Sequence, residues 1–300
     1  MIKRTLFFEN PTYLSTRLEQ LVVNYPQRED IDSKSVAIED IGVIVLEHQQ
    51  ITVTNALMVK LIENNVCIIH CDSKHMPCAL TYPIEGHSEQ SERFKNQINA
   101  SKPLKKNLWQ QTVMAKIENQ ATLLAPNSKE QIRLVHLAQE VKSGDPHNCE
   151  GQAAAIYWSK VFGDPPLIRH QDGAPPNNLL NYGYAILRAI TARALVSSGM
   201  LPTLGIFHRN KYNAFCLADD IMEPYRPFVD LLVRDVMLEV DDYFELNKEI
   251  KQHLLKLPVM NVTIDGKNSP LMVAMSRTTN SLYECFAGGS RKILYPVLLI

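Results

Sequence analysis

A glutamate stands where an apolar residue is expected near the start of one predicted helix. Residues 148–162 read NCEGQAAAIYWSKVF, and Asn148 is a good N-cap for a helix there. Ala154 lies on the apolar stripe of this helix, and the position four residues earlier on the same stripe is Glu150. Because a lone buried carboxylate is costly, Glu150 is expected either to serve the free N–H groups of the helix N-terminus or to ligate a cation.

A second stretch carries an imidazole and, within five positions, three acids. Residues 207–230 read FHRNKYNAFCLADDIMEPYRPFVD, in which Asn213 is a candidate cap for a short helix. Asp220 and Glu223 are three residues apart, so they lie on adjoining faces of that helix. The acids have an ordinary interpretation as a solvated face paired with a nearby arginine. His208 has three interpretations: a metal ligand, a general base or a histidine at the end of a strand.

Glu150, His208 and Glu223 together make a donor set of oxygen and nitrogen atoms, with Asp220 nearby. Such hard-leaning donors suit Mg²⁺ or Mn²⁺ better than a structural zinc site. Sites of this kind typically serve phosphoryl chemistry, in which the metal activates the attacking oxygen and offsets charge on the phosphate.

Basic residues that could face a polyanionic substrate occur in several short clusters. Arg209 and Lys211 follow His208 directly, and Arg188 lies on a long predicted helix. Three further groups are Arg169 with His170 in the Gly/Pro loop 162–176, Lys102 with Lys105 and Lys106, and Arg291 with Lys292. Each cluster has the alternative interpretation of a solubilising face. Arg188, Arg209 and Lys211 are the candidate DNA-binding residues.

Several common catalytic and nucleotide-binding motifs are absent from the sequence, which counts against some classes of reaction. The sequence contains neither GxxxxGK[ST] nor GxGxxG, and it has no GxSxG motif, which disfavours ATP-driven and acyl-transfer reactions. Cys67, Cys71 and Cys78 have the spacing C-x3-C-x6-C without a CxxC pair. Buried reduced thiols are therefore favoured there over a zinc site.

Composition is that of a soluble globular protein. The chain has 300 residues, of which 45% are hydrophobic and 21% charged, and the net charge is −1. Any contact with nucleic acid must therefore use local basic patches. No segment is long and apolar enough to predict a membrane span, and the first residues do not resemble a signal peptide. A cytoplasmic protein without membrane contacts is expected.

Hydrophobic periodicity changes along the chain. Short runs rich in Val, Ile and Thr predict a small β-rich domain over residues 1–85, with one helical insert. Residues 86–103 are polar and weakly periodic, which indicates a linker whose second half is compatible with a helix. Helical patterns then predict an all-α domain over residues 104–300. The fold class is α+β.

These stretches resemble the Cas1 family of CRISPR-associated proteins, the integrases of spacer acquisition. The resemblance covers nearly the whole chain and rests on SVAIEDIGVIVLEHQQITVTNALMVKLIENNVCIIHCD, LWQQTVMAKIENQA, EGQAAAIYW, LLNYGYAILRA and the stretch 207–230. It implies a β domain followed by a helical domain, and a style similar to the type II systems. It also implies that Glu150, His208 and Glu223 are the metal ligands and catalytic residues, and that Asp220 supports them.

The resemblance implies a metal-dependent DNA integrase and endonuclease. Using Mg²⁺ or Mn²⁺, a DNA 3′-hydroxyl would attack a phosphodiester at the edge of a CRISPR repeat, and water in its place would give hydrolysis. Family members act as homodimers on a dimer of the small second adaptation protein, so the expected partners include double-stranded and branched DNA and further type II factors. Two alternatives stay open: a catalytically idle DNA-binding scaffold, and a hydrolase of small phosphoesters.

Overall fold

The computed structural model describes residues 3–26, 32–170 and 172–299 of the chain. The chain divides into two compact units, Met1–Gly86 and His87–Ile300. The first unit is rich in strands and the second is mostly helical. The predicted α+β class, with a small β part followed by a larger helical part, is therefore confirmed.

Two four-stranded sheets build the first unit. The elements are β1 (Arg4–Phe8), β2 (Tyr13–Arg17), β3 (Gln20–Asn24), β4 (Lys34–Ala37), β5 (Ile41–Leu46), β6 (Thr52–Val53), α1 (Asn55–Glu63), β7 (Cys67–Cys71) and β8 (Pro77–Thr81). One sheet has the order β1-β5-β7-β8, in which β8 is antiparallel to β7 and the other pairs are parallel. The other sheet has the order β4-β3-β2-β6.

Apolar patterning explains the core of the first unit. The sequence of β5, IGVIVL, is apolar without alternation, which is typical of a strand covered on both faces, and all but its last residue are buried. Helix α1 starts after Thr54, whose hydroxyl accepts a hydrogen bond from the Leu57 N–H at 3.4 Å. Leu57 and Leu61, one turn apart, are buried in the core.

Nine helices and one small sheet form the described part of the second unit. The helices are α2 (Gln90–Asn99), α3 (Lys102–Leu123), α4 (Lys129–Glu140), α5 (Cys149–Trp158), α6 (Asn177–Ser197), α7 (Cys216–Met222), α8 (Arg226–Glu239), α9 (Lys248–Leu254) and α10 (Leu271–Ala287). A 3-10 turn, Glu223–Tyr225, joins α7 to α8. The strands β9 (Asn261–Ile264), β10 (Lys267–Pro270) and β11 (Pro296–Val297) form an antiparallel sheet.

Helix α3 is the central support of the site. Trp109, Val113 and Ile117, which lie four residues apart along one face of this helix, are buried. The helix packs against α4, α5, α8 and the 3-10 turn, so side chains on its inner face can meet residues that are distant in sequence. In the described residues, no helix is long and apolar enough to cross a membrane.

Part of the segment expected to be a linker, 86–103, forms helix α2. Hydrogen bonds of the buried Gln97 side chain, and not an apolar stripe, hold this helix in place. The segment therefore lacks apolar periodicity. The Nε2 atom of Gln97 donates to the carbonyl oxygens of Leu201 and Leu204, and its Oε1 atom accepts from the Leu201 N–H. Helix α2 is therefore an integral part of the second unit.

Two local details of the second unit also differ from the prediction. The domain predicted to be entirely helical contains the sheet formed by β9, β10 and β11. Helix α7 begins at Cys216 and is not capped by Asn213. Asn213 instead accepts from the Phe215 N–H at 2.9 Å and donates to the Asp219 carboxylate at 2.7 Å. These two hydrogen bonds order the loop that precedes the helix.

Candidate functional site

Glu150 leaves the N-terminus of α5 to other side chains. Asn148 caps the helix as predicted, accepting from the Gly151 N–H at 3.3 Å. The Asp145 carboxylate accepts from the two preceding N–H groups, those of Cys149 at 2.8 Å and Glu150 at 3.0 Å. Because these acceptors satisfy the first turn, the Glu150 side chain is available for another partner. Its Oε1 lies 2.7 Å from Nζ of Lys116.

Glu223 reaches the same ammonium group from the 3-10 turn after α7. Its side chain is 6% exposed, its Oε2 lies 2.6 Å from Lys116 Nζ, and its Oε1 lies 2.9 Å from Arg226 Nε. Burial would raise the pKa of Glu223, but the charges of Arg226 and Lys116 outweigh it and lower the pKa. Glu223 is therefore a buried carboxylate that stays ionised because cations surround it.

Lys116 joins the two glutamates. It lies on the inner face of α3, and its side chain is 11% exposed. Burial would lower the pKa of Lys116, but the charges of Glu223 and Glu150 outweigh it and raise the pKa. Two carboxylates that are 73 residues apart in the chain thus converge on a single positive charge.

The loop before α7 holds His208 against Asp220. The Asp220 side chain is fully buried, and its Oδ1 lies 2.6 Å from Nδ1 of His208. The same carboxylate accepts from the N–H groups of Ile206 at 2.7 Å, Phe207 at 2.9 Å and His208 at 3.2 Å. Since a carboxylate only accepts, it favours the proton on Nδ1. The Nε2 atom of a neutral His208 then keeps a free lone pair that could bind a metal ion.

A single electrostatic cluster contains all three of the residues expected to be ligands. The pKa of His208 is raised, first by the hydrogen bond to Asp220, while burial opposes the increase. The charges of Glu223 and Glu150 raise it further, which shows that both carboxylates act on the imidazole. The cluster therefore gathers side chains from α5, the 3-10 turn and the loop before α7.

The donor set of the cluster fits a hard divalent cation. Within the three described ranges, no three His, Cys, Asp or Glu side chains lie close enough to coordinate one ion as they stand. A cation nevertheless occupies the centre, since the Lys116 ammonium stands between the carboxylates. Glu223 Oε2 is buried and, despite its short distance to Lys116, makes no aligned hydrogen bond. Carboxylate oxygens such as those of Glu150 and Glu223 are the ligands that Mg²⁺ and Mn²⁺ prefer, and the imidazole of His208 would add a nitrogen donor.

A polar cavity of about 160 Å³ adjoins the cluster. Its lining residues are Lys116, Gln120, Trp158, Arg169, Tyr184, Glu223, Arg226 and Asp230. The carboxylate of Asp230 accepts from the hydroxyls of Tyr157 at 2.7 Å and Tyr184 at 2.5 Å. Burial raises the pKa of Asp230 to about 6, although these hydrogen bonds lower it in part.

A basic pocket of about 400 Å³ begins at the residue before His208. Its lining includes Lys102, Lys105, Lys106, Trp109, Phe207 and Arg209. The rings of Trp109 and Phe207 are parallel, with centroids 4.1 Å apart. Partial burial and the charge of Arg209 lower the pKa of Lys105. The lysines that had a plausible role as a solubilising face thus gather around an aromatic pair.

The other candidate DNA-binding residues lie in different surroundings. Arg188 pairs with the Asp219 carboxylate, Nε to Oδ1 at 2.6 Å and a second guanidinium nitrogen to Oδ2 at 3.1 Å. Because this pair is bidentate, Arg188 orders the start of α7. Nζ of Lys211 lies 4.8 Å from the centre of the exposed Tyr212 ring. Arg209 is the one of the three that lines the basic pocket described above.

The cysteine cluster of the first unit is divided between core and surface. Cys67 and Cys71 are buried in β7, whereas Cys78 on β8 is exposed. Cys78 Sγ lies 3.5 Å from the His70 carbonyl oxygen. No metal-binding group of three such side chains occurs in this or any other described region.

Sequence reasoning missed Lys116 and Asp230. Lys116 lies seven residues after Trp109, on the apolar stripe of α3, and a charge at that position was the available signal. Asp230 carries no comparable local signal, because its partners Tyr157 and Tyr184 come from helices 73 and 46 residues away.

The chain is similar to known proteins over most of its length. The family model described as "CRISPR associated protein Cas1" matches residues 6–255. The CRISPR-associated endonuclease Cas1 of Neisseria meningitidis serogroup C (strain 8013) is 38% identical over 283 residues, which cover 94% of this chain and 91% of the relative.

Solved structures show the same fold at low sequence identity. A casposase bound to its integration product has a TM-score of 0.78 and 20% identity, over 98% of this chain and 92% of that chain. A chain of a Cas6-RT-Cas1–Cas2 complex has a TM-score of 0.70 and 18% identity, over 96% of this chain and 35% of that chain. The extent of the family match and the identity to the Neisseria relative show that the chain belongs to the Cas1 family of CRISPR-associated proteins.

Proposed function

We propose that the chain is a metal-dependent DNA integrase and endonuclease of CRISPR adaptation. It inserts short DNA fragments into the repeat array by attack of a 3′-hydroxyl on a phosphodiester. One observation carries this proposal: Glu150 and Glu223 converge on one buried cationic centre, within the electrostatic reach of His208. The name of the Neisseria relative, an endonuclease, and the casposase neighbour bound to an integration product support it.

Glu150, His208 and Glu223 would hold Mg²⁺ or Mn²⁺ through carboxylate oxygens and the Nε2 atom of the imidazole. When bound, the ion supplies a Lewis acid that lowers the pKa of the attacking hydroxyl and offsets charge on the phosphate. Asp220 keeps the His208 ring in the orientation and tautomer that this requires, through its contact with Nδ1.

The reaction balances without an external energy source. A lone pair of the fragment's 3′-oxygen forms a bond to phosphorus, and the bond from phosphorus to the 3′-oxygen of the repeat border breaks. The attacking hydroxyl loses its proton, and the leaving oxygen gains one. One phosphodiester is lost and one is formed, so ATP is unnecessary, which agrees with the lack of a nucleotide-binding motif. Water in place of the hydroxyl gives hydrolysis at the same site.

The basic pocket would contact the DNA backbone. Lys102, Lys105, Lys106 and Arg209 supply positive charge, and the stacked Trp109 and Phe207 offer an apolar wall. Such contacts position nucleic acid without reading its sequence. The net charge of −1 is compatible with this role because the charge is gathered locally.

We propose that the chain acts in the cytoplasm as a homodimer, assembled on a dimer of the small second adaptation protein. The Cas1–Cas2 complex among the structural neighbours supports such a partner. Double-stranded and branched DNA are the proposed substrates.

Strand transfer on a branched DNA that mimics a half-integrated fragment tests the function. The full chain would be assayed with Mn²⁺ or Mg²⁺ and with EDTA, beside Glu150→Ala. A matched control is Glu249→Ala: Glu249 also lies two residues after an asparagine cap, since Asn247 accepts from the Ile250 N–H at 3.0 Å, but Glu249 is exposed.

Metal-dependent rejoining of strands that is lost in Glu150→Ala and kept in Glu249→Ala is the expected result. Equal loss in both variants would mean that Glu150 only supports its helix. If the wild-type chain binds DNA tightly but transfers no strand, even with the small partner protein added, the chain is the idle scaffold and the proposal is wrong.

A further inference from the structure

The position of Lys116 has a consequence for how the cluster accepts a cation. Its ammonium lies 2.7 Å from Glu150 Oε1 and 2.6 Å from Glu223 Oε2, between the two carboxylates. A divalent ion bound to the same oxygens would need to approach them to about 2.0–2.1 Å. Two cations cannot share that space, because at such separations their repulsion in a buried site is large.

A second place for the ammonium exists one helical turn along α3. Gln120 lies four residues after Lys116, so the two side chains occupy the same face. Both line the cavity of about 160 Å³. Gln120 is 3% exposed, and its Oε1 is buried without a hydrogen-bond partner among the described residues. A buried acceptor without a partner is uncommon in folded proteins and is unfavourable.

We propose that Lys116 is a two-position residue. In the metal-free protein its ammonium stands in for the divalent ion between Glu150 and Glu223. When the ion binds, the ammonium leaves at least one carboxylate, turns into the adjoining cavity and donates to Gln120 Oε1. The wall of this cavity contains the carboxylate of Asp230 and also the guanidinium groups of Arg169 and Arg226, so the unpaired Gln120 Oε1 is the feature that would hold the ammonium there.

This role makes Lys116 a positioning residue. In the metal-free state it keeps two carboxylates together that would otherwise repel each other, and it keeps Glu223 neutralised within a buried site. It also competes with the ion for those oxygens. Because the ion and the ammonium compete for the same oxygens, removing the charge of Lys116 is expected to strengthen metal binding.

The inference rests on the proposed function, because it takes Glu150 and Glu223 as ligands. Its test is Mn²⁺ affinity of the full chain, measured by electron paramagnetic resonance of the free ion. Four proteins are compared: wild type, Lys116→Met, Gln120→Leu and the double variant. Lys129→Met, which removes an exposed lysine of α4, is the matched control.

We expect Lys116→Met to bind Mn²⁺ roughly 5–150-fold more tightly, the usual range of coupling between two sites. Gln120→Leu should bind it roughly two- to tenfold more weakly, the value of about one net hydrogen bond, because the displaced ammonium loses its acceptor. Gln120→Leu should have no effect once Lys116 is Met. Wild-type affinity in Gln120→Leu would overturn the proposal, since simple charge repulsion by Lys116 does not involve Gln120.

Two further measurements keep the proposal testable if a variant fails to fold or if the metal site itself is absent. If Lys116→Met does not fold, a crystal structure of the wild-type chain with Mn²⁺ decides: Nζ within 3 Å of both carboxylates beside the ion, roughly a hydrogen-bond distance, overturns the proposal. Glu150→Ala separates this failure from failure of the proposed function. Mn²⁺ binding that does not depend on Glu150 would remove the metal site itself, whereas Glu150-dependent binding with no effect of Lys116 or Gln120 overturns only the two-position lysine.

Discussion

The buried carboxylate of Asp220 lies 2.6 Å from Nδ1 of His208 and also accepts the His208 backbone N–H. One side chain thereby sets both the path of the loop and the direction of the imidazole. Because a carboxylate only accepts, a neutral His208 presents Nε2 as its free nitrogen lone pair. Asp220 therefore acts on the site through the position and orientation of His208.

Asp220→Asn should therefore impair the site without removing a proposed ligand. The Asp220 carboxylate accepts hydrogen bonds from three backbone N–H groups. The amide nitrogen of an asparagine is a donor, so it could not accept from them. We expect metal affinity and strand-transfer rate to fall about 10–100-fold, the usual cost of losing a residue that orients a metal ligand. Mn²⁺ titration and the branched-DNA assay measure both. Asp265→Asn, which changes an exposed carboxylate, is the control, and wild-type Mn²⁺ affinity in Asp220→Asn would contradict the assignment.

Asp230 should make the stability of the chain depend on pH. Burial raises its pKa from 3.8 to about 6, so between these values the native state holds a proton that the unfolded state releases. The free energy of unfolding therefore falls as pH rises through this window. The difference between the two values corresponds to about 3 kcal/mol.

Comparing Asp230→Asn with wild type in urea, at about pH 4 and about pH 7, isolates this contribution. The asparagine variant should be less stable than wild type at the lower pH, where it lacks one of the two tyrosine hydrogen bonds. Relative to wild type it should gain about 2 kcal/mol at the higher pH, slightly less than the full difference, because the unfolded chain is still partly protonated at the lower pH. A stability difference that does not vary with pH would mean that Asp230 is not protonated in the native state at the lower pH.

Local patterns in the sequence single out Glu150 and the acids near Glu223, whereas the ligand roles of Glu150, His208 and Glu223 come from the resemblance to the Cas1 family. Glu150 interrupts an apolar stripe, and the acids near Glu223 precede a proline. Lys116 leaves a weaker trace, since a lysine on an apolar stripe often extends its amine to solvent along a long stem. Only the packing of α3 against α5 and the 3-10 turn shows that this amine stays inside.

The rest of the site depends on contacts that no local pattern encodes. Arg188 was correctly placed on a long helix, but its bidentate partner Asp219 lies 31 residues away. The strands β9, β10 and β11 escaped prediction because they are short, and β11 is separated from β9 by helix α10. Helix α2 escaped because buried polar contacts of Gln97, not an apolar stripe, hold it in place.

Removing positive charges from the basic pocket should make DNA binding depend less on salt concentration. Replacing Lys105 and Arg209 together with Gln removes two charges from its lining. We expect weaker binding to DNA of any sequence, and a slope of log affinity against log salt that is less negative by about 2. Fluorescence anisotropy across a salt series measures this slope. The double control Lys129→Gln with Lys160→Gln removes two exposed lysines outside the pocket, and an equal change of slope in it would contradict a specific role for the pocket.

The capping of α5 by the Asn148 side chain should require glycine at position 151. A Cβ at this position would lie 2.6 Å from Asn148 Nδ2 and 2.8 Å from Asn148 Oδ1, so Gly151→Ala must displace the capping amide. We expect the variant to lose about 1–2 kcal/mol of stability, the value of a helix cap, and to bind Mn²⁺ more weakly because Glu150 moves with the first turn. Asn148 has a φ of 52°, so Asn148→Gly keeps the backbone while removing the amide. In that background Gly151→Ala should cost little. Equal costs of Gly151→Ala in both backgrounds, measured by urea denaturation, would show that the clash lies elsewhere.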